Sequence, residues 1–333
     1  MPDRFLNLTE GVAMIVTDLH GDRDAFDRCL ELFSRLYWRG DAQYLIFLGD
    51  LIHGYGKPAD DSSVKMVLDL IALRNELGAK DVIMLLGNHE MPHIYGVSLA
   101  KGDNEFTPRF EHALGHHRER VLSFFESLPF YIRTKAGVML AHAGPSLDVI
   151  SQVEELRHFD HRALLDDATA MIHQADDLES LYRQYTAIYG IAYDELAHYT
   201  LAIKGHDDPR YSHLLRALLI SERDPRFKLL WDTLITQNEM GVTERVYVNG
   251  CQHFLRAFSV DAPAAQQVIV SGHIVTPGGG HTVVNRFHLR VSTAAHARPR
   301  EAGEVLLLDC ARPVDNALTL VNHLRPLLVD PHS

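Results

Sequence analysis

Five short polar motifs in this sequence carry the residue types that bind divalent metal ions. Each motif combines glycine with an aspartate, an asparagine or a histidine. The motifs are Asp18-Leu19-His20-Gly21, Gly49-Asp50, Gly87-Asn88-His89-Glu90, His142-Ala143-Gly144 and Gly272-His273. Carboxylate, amide and imidazole groups in this number suit a pair of divalent ions, and such pairs hydrolyse phosphate esters.

The needs of phosphate ester hydrolysis explain why these residue types would occur together. The reaction needs a nucleophile at neutral pH, positive charge on the phosphoryl oxygens and a proton for the leaving group. Two divalent ions about 3.5–4 Å apart supply the first two, and an anionic ligand such as Asp50 can lie between them. His89 would donate the proton as a general acid. The other proposed ligands are a carboxylate, an amide oxygen and three imidazoles, from Asp18, Asn88, His20, His142 and His273.

Four short apolar runs precede four of these motifs. Runs this short and continuous predict strands that are covered on both faces. The runs are Val12–Thr17, Tyr44–Leu48, Val82–Leu86 and Val138–Ala141. Helical patterns with one apolar face occupy Ala25–Tyr37 and Ser63–Leu77, with Ser62 or Ser63 as the N-cap of the second. The alternation predicts an α/β fold with a mainly parallel sheet, whose carboxyl edge is where ligands bind.

Helical patterns dominate the chain from residue 146 to residue 245. We interpret this stretch as a helical insertion or cap within a single domain of residues 1–333, lying over the strand ends and restricting access. Tyr182, Tyr185 and Tyr189 are expected in the core of the cap. The predicted helices are Asp160–His173, Asp177–Ile188, Tyr211–Ser221 and Asp224–Gln237. Beyond the cap the pattern predicts a helix, three strands and a loop, at Gly250–Val260, Gln267–Ser271, Phe287–Ser292, Glu304–Asp309 and Ala294–Ala302.

The composition narrows the classes of function. The 333 residues carry a formal net charge of −12, which repels nucleic-acid backbones and gives no reason to expect membrane binding. No long apolar run predicts a membrane span, and the first residues contain no apolar signal core. Three cysteines without a Cys-x-x-Cys pair predict buried thiols rather than disulfides. We therefore expect a cytoplasmic protein with no nucleic-acid partner and no membrane partner.

The order of the five motifs resembles the calcineurin-like metallophosphoesterase superfamily, and is most similar to its branch of serine/threonine phosphoprotein phosphatases. The resemblance covers roughly residues 12–145 and 226–310. It also includes Glu126-Ser127-Leu128-Pro129 and Leu229-Leu230-Trp231-Asp232, which resemble conserved segments of that branch. The resemblance implies a β-sandwich of mixed sheets flanked by helices, with a helical insertion.

The resemblance also implies a role for each motif residue. The first metal ion would be held by Asp18, His20 and Asp50, and the second by Asp50, Asn88, His142 and His273. Asn88 would also contact the substrate, and His89 would be the proton donor. The ions would be two divalent metals, Mn, Fe, Zn or Ni, with Mn the ion expected to support activity in vitro.

Two departures from the family pattern affect these expectations. Many members end with Gly-His-x-His, whose second histidine completes the first metal site, whereas this chain has Val275 there. Either water takes that place, as in the phosphoprotein phosphatase branch, or His281 substitutes.

The second departure is His53-Gly54, which replaces the acid and the phosphate-gripping arginine of the phosphoprotein phosphatases. His53 could itself contact phosphate. Four basic residues could supply the missing cation, and the sequence does not choose among Lys57, Arg109, Arg256 and Arg300.

The sequence therefore predicts a metal-dependent phosphatase that hydrolyses a phosphomonoester by attack of a metal-bridging hydroxide. The substrate would be a phosphoprotein or a small phosphorylated molecule. One alternative is a phosphodiesterase or nucleotide pyrophosphohydrolase that uses the same dinuclear site. Another is a non-catalytic scaffold that keeps the fold without turnover.

Overall fold

In the computed structural model, which describes residues 3–55, 57, 61–101, 104–235 and 238–328, the chain divides into two compact units. The first unit comprises Met1–Asn88, Leu128–Phe159 and Trp231–Ser333, and the second comprises His89–Ser127 and Asp160–Leu230. The cap predicted at residues 146–245 includes residues 236 and 237, which lie outside the described residues. Its role as a cap stays a prediction.

The strands of the described residues are numbered in chain order. They are β1 (Phe5–Leu8), β2 (Val12–Val16), β3 (Tyr44–Phe47), β4 (Val82–Met84), β5 (Ala100–Lys101), β6 (Asn104–Glu105), β7 (Tyr131–Thr134), β8 (Val138–Ala141), β9 (Val268–Ser271), β10 (Thr276–Pro277), β11 (His281–Asn285), β12 (His288–Val291), β13 (Ala297–Arg298), β14 (Glu304–Asp309) and β15 (Leu324–Pro326).

The helices are numbered in the same way. They are α1 (Arg23–Trp38), α2 (Ser63–Leu77), α3 (Met91–Tyr95), α4 (Phe106–Leu114), α5 (Arg118–Glu126), α6 (Val153–Arg157), α7 (His161–His173), α8 (Leu178–Tyr189), α9 (Tyr193–Leu201), α10 (His213–Arg223), α11 (Pro225–Leu234), α12 (Asn238–Gly241), α13 (Glu244–Ala257) and α14 (Ala317–Leu320). Short 3₁₀ turns occupy Gly115–His117, Ile150–Gln152, Arg300–Ala302 and Val321–His323.

Two mixed sheets form the core of the first unit. The six-stranded sheet has the order β1-β7-β8-β9-β12-β11, and the five-stranded sheet has the order β15-β14-β2-β3-β4. Alternate residues of both sheets, such as Ala13 and Ile15 of β2 and Val268 and Val270 of β9, share one buried apolar cluster. Because side chains alternate between the faces of a strand, this pattern is that of a sandwich with its core between the sheets. The predicted β-sandwich of mixed sheets is confirmed.

The expectation of a single, mainly parallel sheet holds only in part, because the strands divide between two sheets of mixed direction. Strands β2, β3 and β4 are parallel as predicted, but β14 runs antiparallel to β2, and β7 runs antiparallel to β8. The run Val138–Ala141 is β8 and belongs to the six-stranded sheet, where it pairs with β9. Strands buried on both faces have the same apolar composition in either sheet, so composition could not assign this run.

Side-chain caps begin several of the helices. The Asp22 carboxylate accepts a hydrogen bond from the Ala25 amide at the start of α1. Helix α2 has the predicted bounds, with Ser62 at the N-cap position but no side-chain hydrogen bond there. Helix α11 begins at Pro225, where a proline lacks an N–H that the first turn would leave unused anyway.

The second unit has an apolar core of its own. Tyr185 is buried there with Tyr193 and Tyr211, and Tyr182 is partly buried against them. These rings pack edge-on or tilted against one another, with centroids 4.3–5.4 Å apart. Tyr189 contacts Tyr185 but is exposed, so the core position predicted for Tyr189 is wrong.

All three cysteines are buried and free of disulfides, as predicted. In the described part of the chain no helix combines the length and apolar character needed to cross a membrane.

Candidate metal centre

The ends of five strands bring the proposed ligands to one edge of the first unit. Asp18 and His20 follow β2, Asp50 follows β3, and Asn88 follows β4. His142 directly follows β8, and His273 comes two residues after β9. We call the set of seven side chains found here the strand-end cluster: Asp18, His20, Asp50, Asn88, His142, His273 and His296.

Strained backbone is concentrated in this cluster. Among the described residues, seven that are not glycine have a positive φ, and five of these are proposed site residues. The five are Asp18, His20, Asp50, His53 and His273. Left-handed backbone is unfavourable for residues with a Cβ, and it persists only where the surrounding structure holds it. Such strain is typical of sites that hold side chains in a fixed geometry.

Two glycines make the close approach of these loops possible. Gly49 has φ of +98°, and a Cβ there would lie 2.7 Å from the Cα of Gly87 and 2.8 Å from Nδ1 of His142. A Cβ on Gly272 would overlap the Asp18 carboxylate. The glycines that precede Asp50 and His273 are therefore required by packing.

The two carboxylate oxygens of Asp50 face different histidines. Oδ2 lies 3.7 Å from Nε2 of His20, and Oδ1 lies 3.5 Å from Nε2 of His142. A carboxylate with one oxygen directed to each side has the geometry of a bridge between two ligand groups. This is the position that a shared anionic ligand of two ions would occupy.

Backbone carbonyls fix which ring nitrogen each histidine presents to the cluster. Nδ1 of His142 lies 2.7 Å from the carbonyl oxygen of Leu48, and Nδ1 of His20 lies 3.2 Å from that of Ile52. Because a carbonyl only accepts hydrogen bonds, the neutral rings carry their protons on Nδ1. Nε2 then keeps its lone pair, which is the arrangement of a metal-binding histidine with an oriented ring.

Asn88 and His273 lie on the His142 side of Asp50. Oδ1 of Asn88 is 2.8 Å from Nε2 of His142, and the rings of His142 and His273 are 5.0 Å apart. Ligand atoms of Asp50, His142 and His273 all lie within 4.8 Å of one another. Neither ring nitrogen of His273 has a hydrogen-bond partner within the described chain.

Asp18 and His296 lie on the His20 side. The His273 amide donates to both oxygens of the Asp18 carboxylate at 2.9 Å, which fixes that side chain. Nδ1 of His296 is 3.3 Å from Oδ1 of Asp18, and its ring centroid is 5.0 Å from that of His20. Ligand atoms of Asp18, His20 and His296 also lie within 4.8 Å of one another.

The electrostatics of the cluster favour metal-binding protonation states. Burial lowers the pKa of His20 and of His273 to about 3, with a further lowering from neighbouring histidines, so both imidazoles are neutral at pH 7. Burial alone would raise the pKa of Asp18, but the neighbouring imidazoles of His296, His142 and His20 together outweigh it and hold that pKa well below its usual range. Neutral imidazoles and ionised carboxylates are the forms that bind metal ions.

The two remaining predicted site residues are buried. His89 follows Asn88 in the chain and is the first residue of the second unit, where its ring lies 5.5 Å from that of Phe106. His53 has φ of +74°, and its backbone amide donates to Oγ of Ser63 at 2.8 Å.

The four proposed cations have different surroundings. Arg300 binds the carboxylates of Asp22 and Asp24 at 2.6 and 2.9 Å, so its charge is already matched. Arg256 is exposed and lines a surface cavity with Gln252 and Phe287. Arg109 belongs to the second unit, and Lys57 is exposed.

The sequence prediction missed His296, a member of the cluster, and gave no role to Arg290, whose charge interacts with that of Asp18. Arg290 of β12 is buried and forms an ion pair with Glu239, and burial lowers its pKa to about 10. His296 lies in the segment predicted as a loop at Ala294–Ala302, which contains β13, whereas Arg290 is paired with Glu239 of helix α12. A histidine in the loop that follows a buried strand was the available signal.

Comparison with known proteins identifies the family of this chain. The family model described as calcineurin-like phosphoesterase matches residues 12–282. The chain has no sequence match among curated proteins.

Three solved structures are similar to this chain. A protein serine/threonine phosphatase from Saccharomyces cerevisiae, with similarity to human phosphatase PP5, is 14% identical, with a TM-score of 0.51 over 100% of this chain and 86% of that one. A metallophosphoesterase from Sphaerobacter thermophilus is 24% identical over 41% of this chain and 48% of that one, with a TM-score of 0.25. The phosphoesterase Yfce from E. coli is 32% identical over 23% and 39%, with a TM-score of 0.18.

Proposed function

This chain belongs to the calcineurin-like phosphoesterase family, and we propose that it is a metal-dependent phosphatase that hydrolyses a phosphomonoester at a dinuclear centre in the strand-end cluster. The observation that carries the proposal is the position of Asp50 between His20 and His142, with one carboxylate oxygen toward each. A residue with only a structural role needs no such two-sided arrangement.

The donors of the cluster fit a pair of divalent ions. Carboxylate, amide oxygen and neutral imidazole groups lie on both sides of Asp50. Ring nitrogens of His273 and His296 have no hydrogen-bond partner among the described residues, although buried polar atoms are normally satisfied. Asp18, His20 and Asp50 would hold the first ion, and Asn88, His142 and His273 would hold the second together with Asp50. Mn, Fe, Zn and Ni all suit these ligands.

Metal ions bound here would lower the pKa of a water molecule and stabilise negative charge on the phosphoryl oxygens. The protein's own contribution is orientation. The carbonyls of Leu48 and Ile52 hold the rings of His142 and His20, and the His273 amide holds the Asp18 carboxylate. Fixed donors need no rearrangement during the reaction, and this preorganisation is a large part of catalysis.

His89 is proposed as the general acid. It directly follows the proposed ligand Asn88, and it is buried. A histidine protonated at neutral pH can transfer its proton to the leaving oxygen, which contributes about 10²–10⁴-fold to the rate. His53 and Asn88 are proposed to contact the phosphoryl group.

The substrate is a phosphorylated molecule whose class depends on how its phosphate is held. His53-Gly54 stands where the phosphoprotein phosphatases have an acid and an arginine. Arg300, one of the candidate replacements, is engaged with Asp22 and Asp24. A small phosphorylated molecule and a phosphoprotein are therefore both candidate substrates.

The test is hydrolysis by metal-depleted protein to which Mn²⁺ is returned. We expect Mn²⁺-dependent turnover of p-nitrophenyl phosphate and of a phosphoserine peptide, with far slower turnover of bis(p-nitrophenyl) phosphate. Asp50→Asn should abolish turnover, whereas Asp27→Asn, at an exposed carboxylate on α1, should leave it unchanged.

Two results would contradict the proposal. Turnover of the diester, of a cyclic nucleotide or of a dinucleoside polyphosphate that is faster than turnover of the monoesters would favour a phosphodiesterase or pyrophosphohydrolase. No turnover of any substrate with Mn²⁺, Fe²⁺, Zn²⁺ or Ni²⁺ would favour a scaffold without catalysis.

A further inference from the structure

We infer that His296 is a ligand of the first metal position, at the place where this chain has Val275 instead of the family's second histidine. The inference rests on the proposed function, because it concerns the same centre. Its basis is a strand pairing that brings His296 beside Val275 and a loop contact that directs it to Asp18.

Strand pairing places His296 next to Val275. Strands β10 and β13 are parallel, with Thr276 opposite Ala297 and Pro277 opposite Arg298. Val275 and His296 directly precede these paired residues. The Thr276 amide donates to the carbonyl oxygen of His296 at 2.9 Å, so the backbone of His296 is held against the strand that follows Val275. An imidazole missing from one strand is thus available from its neighbour.

A second contact holds the His296 loop against the loop that follows β2. The amide of Ala295 donates to the carbonyl oxygen of Asp18 at 3.1 Å. The amide of Thr17 donates to Oγ1 of Thr293 at 2.9 Å. The backbone is therefore fixed on both sides of His296, and the imidazole does not need a loop rearrangement to reach Asp18.

The side chain of His296 converges with two proposed ligands of the first ion. Nδ1 lies 3.3 Å from Oδ1 of Asp18, and the ring is 5.0 Å from that of His20. His296 is buried, and apart from this approach to Asp18 its Nδ1 has no hydrogen-bond partner among the residues that the structure describes. Buried ring nitrogens are normally satisfied, and a metal ion at the centre of this group would satisfy this one.

His281, which the sequence suggested for this role, is engaged elsewhere. It lies on β11, and its Nδ1 is 2.6 Å from Oε2 of Glu304. His281 is not a member of the metal-ligand groups found in the described chain. The first position would then have Asp18, His20 and His296 together with the bridging Asp50.

The experiment measures Co²⁺ binding to the metal-depleted full chain by isothermal titration calorimetry, with bound metal counted after gel filtration. Wild type and the matched control His281→Ala are expected to bind two ions. In His296→Ala one ion should bind at wild-type affinity. The other should bind at least about 10–100-fold more weakly, which is the loss caused by removing even an outer partner of a metal ligand.

A second variant gives a positive signal that does not depend on a loss. In His296→Cys, a thiolate within ligand distance of Co²⁺ should produce a thiolate-to-cobalt charge-transfer band in the near ultraviolet. Wild type provides the blank, because its cysteines are buried, and burial raises the pKa of Cys251 to about 11 and that of Cys310 to about 12. Near-ultraviolet circular dichroism checks that both variants are folded. If His296→Ala does not fold, the charge-transfer band of His296→Cys alone tests whether residue 296 is a ligand.

The possible failures are distinguishable. Unchanged binding of two ions by His296→Ala, with no charge-transfer band in His296→Cys, would overturn the inference while leaving the proposed function in place, provided that Asp50→Asn loses metal. A wild-type chain that binds no Co²⁺ would overturn the proposed function, and the role of His296 with it.

Discussion

His273 of the strand-end cluster and His288 of the polar chain Ser271–His288–Tyr247 both have buried ring nitrogens, but only those of His288 have hydrogen-bond partners within the described chain. In the polar chain, Nδ1 of His288 is 2.8 Å from the hydroxyl of Tyr247, and Nε2 is 2.8 Å from Oγ of Ser271. In the cluster, neither ring nitrogen of His273 has a hydrogen-bond partner within the described chain. Both ring nitrogens of His288 are thus bound by other side chains, whereas those of His273 are available for a ligand.

The difference shows which physical property separates these two histidines. Burial lowers the pKa of both His288 and His273 to about 3, so charge state does not distinguish them. Their hydrogen bonds do, because an unsatisfied nitrogen in a folded protein requires an explanation. Substitutions in the strand-end cluster should change turnover or metal binding, whereas substitutions in the polar chain should change stability.

The largest effect is expected from His89→Asn. If His89 is the general acid, its loss should lower kcat about 10²–10⁴-fold while Mn²⁺ binding stays at two ions, because a proton donor is not a ligand. The measurement pairs turnover of p-nitrophenyl phosphate with metal counting. A substrate with a more acidic leaving group should be less affected, since it needs less help from a proton donor.

The control for this prediction is His116→Asn, at an exposed histidine of the second unit. It should leave kcat and metal binding unchanged. A loss of metal in His89→Asn would contradict the assignment and would make His89 a ligand.

A smaller effect is expected from His273→Ala, measured as metal affinity. Removing a ligand of the second position should weaken one of two Mn²⁺ sites by at least about 10–100-fold. The unfolding midpoint of the metal-depleted protein should change little, because the ring makes no hydrogen bond that would be lost. If the metal-depleted variant is much less stable and its Mn²⁺ affinity is unchanged, His273 is structural and the comparison is wrong.

Local patterns in the sequence predicted much of the fold. The apolar runs before Asp18 and Asp50 are strands, and the helix predicted at Ser63–Leu77 has those bounds in the structure. Helix α9, Tyr193–Leu201, was not predicted. Its buried residues contribute to the core of the second unit, and its apolar pattern is short.

The candidate site was predictable where function lies within a motif and not where it depends on pairing between distant strands. The six proposed ligands follow strands that each have a recognisable apolar run, and the structure brings them together, while their binding of metal stays a prediction. His296 depends on the register of β10 and β13, and Arg290 on its ion pair with Glu239. Neither relation leaves a local pattern.

The polar chain is tested by Tyr247→Phe. This change removes the hydroxyl that bonds Nδ1 of His288 and leaves a buried nitrogen unsatisfied, which should lower the free energy of unfolding by about 1–3 kcal/mol. Urea unfolding measures the loss. Mn²⁺ affinity should be that of wild type, and a weakened Mn²⁺ site would show that the two regions are one functional unit.

The polar chain should also change how stability depends on pH. His288 has a folded pKa of about 3 and an ordinary unfolded pKa near 6.5, so between these values the unfolded chain binds a proton that the folded chain does not. Stability therefore rises with pH across this window, by up to about 1.4 kcal/mol per pH unit from this one group. The hydroxyls of Tyr247 and Ser271 that face His288 do not titrate there, since burial raises the pKa of Tyr247 further.

His288→Gln should remove this contribution. Urea unfolding of metal-depleted protein at several pH values from 7 to about 4 should give a variant that is less stable than wild type at pH 7, with a gap that narrows as the pH falls. His253→Gln, at an exposed histidine on α13, should keep the wild-type slope. If the stability of wild type and of His288→Gln changes with pH in parallel, His288 is protonated in the folded protein. The hydrogen bonds of His288 that His273 lacks would then be bonds to a charged ring.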